Sequence, residues 1–190
     1  MTAQTHAPTL IVNARLINEG REFDADLRFI EGRIETISGN LSARPGEVVI
    51  DILATDHAPH TLEEKQQPYL RAPSGLPLVQ FALNAALECV HEGRLTTAQV
   101  VQKFAHAPAQ LFDVKERGFL REGYRADLVL IDDTPFTVER EQVLSKCGWS
   151  PFEGTTFRSR IASTWVNGHL VWVGRQLVGG PRGMRLEFER

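Results

Sequence analysis

Ala54-Thr55-Asp56-His57-Ala58-Pro59-His60 is the stretch on which the reading of this chain turns. Three titratable side chains fall within five positions, directly after a short segment, 52–55, that reads as a strand. Loops at the carboxyl ends of strands in α/β folds collect reactive groups, because a rigid sheet holds them in place. A carboxylate in such a loop can serve as general base towards a metal-bound water. An imidazole can ligate a metal, shuttle a proton or hydrogen-bond a carboxylate. Pro59 stiffens the turn and fixes the direction in which His60 points. The same residues also suit an ordinary turn after a strand, where Asp and Pro are favoured. His57 and His60 could form a metal pair, but a stable zinc site takes three or four protein ligands, and the spacing marks no third. His6, His91, His106 and His169 stand singly and read as structural or solvent-exposed.

Downstream, residues 61–76 are polar and irregular, with Pro68, Pro73 and Gly75. Pro77 suits the first turn of a helix. Leu78, Phe81, Ala82, Ala85, Ala86 and Val90 then recur at three- and four-residue spacing, which predicts one apolar helix face, and Gly93 can end that helix. Thr96 with Gln99 three residues on is a capping-box pattern, opening a second helix over 96–107 whose buried stripe is expected to be Ala98, Val101 and Ala105. Pro108 begins a further short turn through Phe112. Upstream, residues 10–17 read as a strand. Phe23, Ala25, Leu27 and Phe29 alternate with Asp24, Asp26 and Arg28, the period of a half-buried strand. Glu31-Gly32 and Pro45-Gly46 read as turns, and 48–50 as another strand. Near the C-terminus, 126–131 is an apolar run and 145–157 a polar and aromatic loop. Residues 161–166 and 169–173 flank Asn167-Gly168, the strongest short hairpin signal. The order is strands, one βα unit with extra helices, then strands. Two strand-rich ends of this kind can close into one sandwich, with the middle as an excursion from it.

Composition narrows the function classes. The chain has 190 residues, 42% hydrophobic and 24% charged, with a formal charge of −3, so it reads as an ordinary globular protein able to bury a core without staples. Its basic residues are scattered, which argues against a nucleic-acid or anionic-membrane partner. Cys89 and Cys147 are far apart and outside metal-type spacing, as expected of reduced thiols. The first 20 residues lack signal-peptide character, and no apolar run approaches the ~20 residues of a membrane helix. A cytoplasmic, soluble protein is expected.

The residues 54–60, followed by Glu63-Glu64-Lys65, resemble the last barrel strand and loop of dihydroorotases, a branch of the cyclic amidohydrolases. Ala72-Pro73-Ser74-Gly75-Leu76-Pro77 is similar to the substrate-binding loop that follows there. Residues 115–130, Lys-Glu-Arg-Gly-Phe-Leu-Arg-Glu-Gly-Tyr-Arg-Ala-Asp-Leu-Val-Leu, resemble the segment leading from the barrel back into the sandwich. Ile11-Val12-Asn13-Ala14-Arg15 and Glu31-Gly32-Arg33-Ile34 resemble the superfamily's opening strands. The resemblance implies a urease-like composite β-sandwich, α/β and β mixed, with a remnant of a (β/α)8 metal-dependent hydrolase barrel. Residues 1–51 would be the N-terminal strands of the sandwich. Residues 52–117 would hold the last barrel strand, the substrate loop and helices, and 118–190 the strands completing the sandwich. It further implies that Asp56 binds the metal-bridging hydroxide and moves its proton, that His60 binds the substrate's carboxylate, and that Pro73 and Gly75 lie in the loop whose backbone approaches that carboxylate. The reaction implied is reversible hydrolysis of dihydroorotate to N-carbamoyl-L-aspartate, in pyrimidine synthesis.

One departure from the pattern bears on activity. The family pattern breaks between Asp51 and Ile52, where relatives continue into a His-x-His strand and later supply a carboxylated lysine and two more histidines. No His-x-His occurs in the chain, and a complete eight-unit barrel takes ~250 residues by itself. Of the implied ligands to two zinc ions, only Asp56 is carried by this sequence, so hydrolysis is expected to be impaired or absent. The alternatives are a longer, intact enzyme from which the segment after Asp51 is left out of this sequence, a non-catalytic assembly partner of aspartate carbamoyltransferase, and an allantoinase- or hydantoinase-like enzyme. A homodimer is also compatible with the resemblance.

Overall fold

A computed structural model of the chain describes residues 8–18, 21–30 and 33–189; His6 and the Glu31-Gly32 turn lie outside them. The chain divides into two compact units, one reaching Ile52 and the other starting at Leu53.

The first unit is one mixed sheet. Strands β1 (Thr9–Asn18), β2 (Arg21–Ile30) and β3 (Arg33–Ser38) run antiparallel, and β4 (Val48–Ile50) pairs parallel with β1, giving the order β3-β2-β1-β4. Of the apolar face expected on β2, Ala25 is buried, Leu27 and Phe29 are half-buried, and Phe23 is exposed. The opposite face departs from the half-buried strand expected of this pattern, because Asp26 and Arg28 are buried as well. The residues between β3 and β4 fold back over it. The Leu41 N–H donates to Asp26 Oδ2 at 2.6 Å, while the Arg28 guanidinium donates to Glu47 at 2.6 and 3.1 Å and to the Ser42 carbonyl at 2.6 Å. A bidentate, charge-assisted pair of this kind satisfies a cation that would otherwise resist burial. The Arg28 hydrogen bond, working against burial, holds the Glu47 carboxyl below the usual range.

The second unit begins without a ladder. Residues 52–55, expected as a strand, are not one. A strand is stabilised by hydrogen bonds to a neighbour. Here the segment has one such bond, Leu53 N–H to the Lys103 carbonyl at 3.1 Å, and a single parallel bridge further on, between His57 and Leu76. Helix α1 (Leu62–Lys65) follows, then a 3-10 turn (Val79–Phe81) running into α2 (Ala82–His91). Gly93 ends α2 as expected. Glycine is unstrained in the left-handed region, and with Gly93 at φ 72 the Gly93 and Arg94 amides reach back to the Val90 and Cys89 carbonyls, each at 2.9 Å, the paired hydrogen bonds of a Schellman end.

Helices α3 (Thr97–Val101) and α4 (Ala107–Leu111) are joined without a break by a wide π-turn (Gln102–His106). The separate turn expected at Pro108 is therefore the last part of one helix. Pro108 has no N–H to donate, and its ring would clash in a regular helix interior. Widening the turn before it, with the Ala107 N–H bonded to the Gln102 carbonyl, accommodates it. The expected stripe of Ala98, Val101 and Ala105 is also corrected: Val100, Lys103 and Ala109 are the buried positions, while Ala98 and Val101 face outward.

The unit ends in strands β5 (Leu128–Asp132), β6 (Phe136–Thr137), β7 (Thr156–Phe157), β8 (Arg160–Val166), β9 (His169–Val173) and β10 (Gln176–Leu177). The antiparallel sheet runs β10-β9-β8-β5, and β6 pairs with β7 alone. Asn167 and Gly168, at φ 51 and 78, make the predicted two-residue hairpin turn between β8 and β9. The core gathers Phe81 at the start of α2 with Val138 and Phe157, and Phe136 and Phe152 pack around them. Phe157 lies 5.5–6.3 Å, ring centre to ring centre, from Phe152, Phe136 and Phe81. Edge and offset geometries at this range add to the burial of aromatic surface.

Candidate functional site

The 54–60 loop is held by what it touches downstream, since it has no ladder of its own. The Ala58 N–H donates to the Leu76 carbonyl at 3.1 Å, and the Val79 N–H donates to His57 Nδ1 at 3.3 Å. In a neutral ring that bond leaves the proton on Nε2. Gly75 sits against Ala58 so closely that an added Cβ would stand 2.4 Å from the Ala58 Cβ, and its φ of 94 is one that only glycine adopts freely. Thr61 caps α1 in a reciprocal box with Glu64: the Glu64 N–H donates to Thr61 Oγ1 at 3.2 Å, and the Thr61 N–H to Glu64 Oε2 at 2.7 Å. The last residue of that helix, Lys65, donates from Nζ to the carbonyls of Pro73 at 2.7 Å and Gly75 at 3.2 Å. The loops around Ala58 and around Gly75 are thus joined from two sides.

The candidate residues divide accordingly. Asp56 is exposed, in a left-handed conformation at φ 43 that Asp tolerates better than most residues, and its carboxylate makes no hydrogen bond or ion pair among the described residues. His60 is half-buried, with Nδ1 3.7 Å from Glu64 Oε2, and its carbonyl accepts from Trp149 Nε1 at 2.7 Å. Glu64 is held below the usual glutamate range, first by the Thr61 N–H and hydroxyl. Pro73 and Gly75 are brought to the same place as Ala58 through Lys65 and the Gly75 contact.

Two contributions to the site have no local sequence signal. His57, which the sequence offers only as half of a metal pair, lines a cavity of about 370 Å³ with Pro77, Val143, Leu144, Ser145 and Ser150. Trp149 reaches the loop from 89 positions away, and no local pattern signals such a contact. Of the outlying histidines, His169 is exposed, while His106 and His91 have partners. His106 Nδ1 is 2.6 Å from the Gly118 carbonyl and its ring stacks on Phe119 at 4.3 Å, while His91 Nε2 is 2.6 Å from Ser159 Oγ.

Amidohydrolases are generally metal-dependent, and the donors present do not fit such a centre. Among the described residues no three His, Cys, Asp or Glu side chains lie close enough to share an ion. Asp56 has no companion ligand, His57 Nδ1 is occupied by Val79, and His60 is turned to Glu64. A stable zinc site takes three or four protein ligands. Among the described residues, no helix is long and apolar enough to cross a membrane.

Comparison with known proteins agrees with the layout. The model of the amidohydrolase family matches residues 81–172, from the start of α2 through β9. A dihydroorotase of Pyrococcus abyssi is 36% identical over 141 residues, 74% of this chain and 34% of its own length. The dihydroorotase of Halobacterium salinarum is 41% identical over 126 residues, 66% of this chain and 30% of its own. Among solved structures, the L-hydantoinase (dihydropyrimidinase) of Arthrobacter aurescens superimposes with a TM-score of 0.65 at 29% identity, covering 68% of this chain and 30% of that one. A D-hydantoinase of Thermus sp. follows at 0.62 and 27%, covering 69% and 30%. The chain spans about a third of the length of the relatives it matches. With its helices, its antiparallel sheet and its dihydroorotase-like sequence, the chain is similar to the amidohydrolase family, whose model it matches over residues 81–172.

Proposed function

We propose that these residues form the substrate-loop wall of a dihydroorotase-type site, and that the 190-residue chain by itself does not turn over dihydroorotate at a useful rate. The observation that carries the first part is the double tie between the 56–60 loop and the 72–77 loop, through Gly75 on Ala58 and Lys65 on two carbonyls. In that reading Asp56 is the catalytic carboxylate that takes and returns a proton. His60 and the backbone around Pro73 and Gly75 bind the carboxylate of dihydroorotate or N-carbamoyl-L-aspartate. The second part rests on the donor set. Zinc, two ions in the proposed family site, would find Asp56 as its one ligand here, and a lone carboxylate cannot substitute for three or four converging donors. We also place the protein in the cytoplasm, in keeping with two free cysteines. No feature of the described residues singles out aspartate carbamoyltransferase or a second copy as partner, and neither is part of the proposal.

A second ring substrate has an observation in its favour: the hydantoinase structures superimpose well on this chain. Turnover of dihydroorotate, a hydantoin and allantoin should therefore be assayed side by side, with zinc supplied. The expected result is less than ~1 s⁻¹ for all three, below the common enzyme range. Hydrolysis of dihydroorotate above that rate would contradict the inactivity. Hydrolysis of hydantoin or allantoin alone would overturn the choice of ring.

A further inference from the structure

Lys65 is the terminal residue of a four-residue helix that could not persist unaided. The helix is fixed instead by the reciprocal Thr61–Glu64 box at its start and by the Lys65 ammonium at its end. The two carbonyls that accept from Lys65, those of Pro73 and Gly75, flank Ser74. No peptide bond among the described residues is cis. In a trans peptide the carbonyl and the following N–H point in opposite directions. Turning the Pro73 carbonyl towards Lys65 therefore turns the Ser74 N–H away from it, to the other side of the loop. Gly75, at φ 94 and in contact with Ala58, closes the loop from behind, so the Ser74 amide has little freedom to rotate back.

From this we infer that Lys65 is a positioning residue: by holding the Pro73 and Gly75 carbonyls it aims the Ser74 N–H at a ligand carboxylate. The inference rests on the substrate-loop reading above. Lysine suits the role because its ammonium has three donors and a compact charge, enough to serve two carbonyls from one atom. The same cation also adds a favourable field for an anion bound across the loop. The Lys65 contacts lie wholly on backbone carbonyls, so the residue acts through the loop and need not touch the ligand.

The test uses the full chain with Lys65→Met, which keeps the stem and removes the donors, and Lys65→Arg, which keeps donors. The first readout is tryptic cleavage after the exposed Arg71, followed by mass spectrometry. Loss of two charge-assisted bonds should speed it about tenfold in Lys65→Met, with the overall circular dichroism unchanged and Lys65→Arg close to wild type. The second readout is the Ser74 amide resonance during titration with N-carbamoyl-L-aspartate, with urea as the uncharged control. A carboxylate-dependent shift in the wild type, weakened in Lys65→Met and restored in Lys65→Arg, is expected. Unchanged cleavage and an unchanged Ser74 response in Lys65→Met would overturn the role of Lys65. Faster cleavage without any Ser74 response in the wild type would leave Lys65 as a strap but overturn the substrate-loop reading. Should Lys65→Met not fold, Lys65→Gln, which retains a single neutral donor head, takes its place with the same two criteria.

Discussion

The 54–77 segment and the β8–β9 hairpin are stabilised in opposite ways. The hairpin closes on itself: strands of seven and five residues pair directly, and the turn is dictated by Asn167-Gly168. Even its tip is reinforced, with Arg117 bonded to Asp127 and to Asn167 Oδ1, and the Asn167 N–H donating to Asp127 at 2.7 Å. The 54–77 segment has no ladder. It depends on one bridge, the Val79 bond to His57, one glycine contact, the Thr61–Glu64 box, one lysine and a tryptophan from a distant loop. A self-paired element keeps its geometry wherever it is placed, whereas a site-bearing loop inherits its geometry from its neighbours. That difference explains how the fold of the second unit can persist although no three potential metal ligands converge among the described residues.

The contrast can be broken most forcefully at glycine. Gly75→Ala places a methyl 2.4 Å from the Ala58 Cβ at a positive φ, and should destabilise the segment by ~3 kcal/mol. Urea unfolding and the dispersion of the Ala58 amide resonance would show it. Gly168→Ala, at a positive φ but with open space around it, should lower stability by only about 1 kcal/mol. Equal losses at the two positions would remove the distinction between a packed and an open turn.

Helix starts offer a finer comparison. Thr96→Ala removes the hydroxyl that accepts from the Gln99 N–H at 3.2 Å, with an expected loss of about 1 kcal/mol by denaturant midpoint. The two capping boxes differ chemically, because Thr61 is paired with a carboxylate and Thr96 with an amide. Glu64 is held below its usual value, so its contribution is complete above the ordinary glutamate range and is lost as the pH falls through the lowered value. The amide signals of Thr61 and Glu64 should move on acid titration, while those of Thr96 and Gln99 stay still. Equal movement at both would show that the Glu64 box does not form.

What could be read from sequence follows the same division. The Asn167-Gly168 hairpin, the Thr96–Gln99 box and the Gly93 helix end all complete their hydrogen bonds within a few residues, so local spacing reveals them. The alternation on β2 marked a strand but could not show what covers Asp26 and Arg28, because Leu41, Ser42 and Glu47 lie 14 to 19 positions away. Residues 52–55 have the composition of a strand, yet composition does not supply a neighbour to pair with. Pro108 was legible as a helix start, but its tolerance inside a continuous helix depends on the wide turn at Gln102–His106. At the candidate site, Asp56, His60, Pro73 and Gly75 were recognisable as a motif; the parts played by His57 and Trp149 depend on contacts over 22 and 89 positions.

Metal stoichiometry tests the central claim most directly. A folded preparation whose intact mass matches the 21.3 kDa of these residues should, after incubation with zinc and removal of excess, retain far less than one ion per chain. Two ions held by each chain, resistant to dialysis and lost on Asp56→Asn, would contradict it.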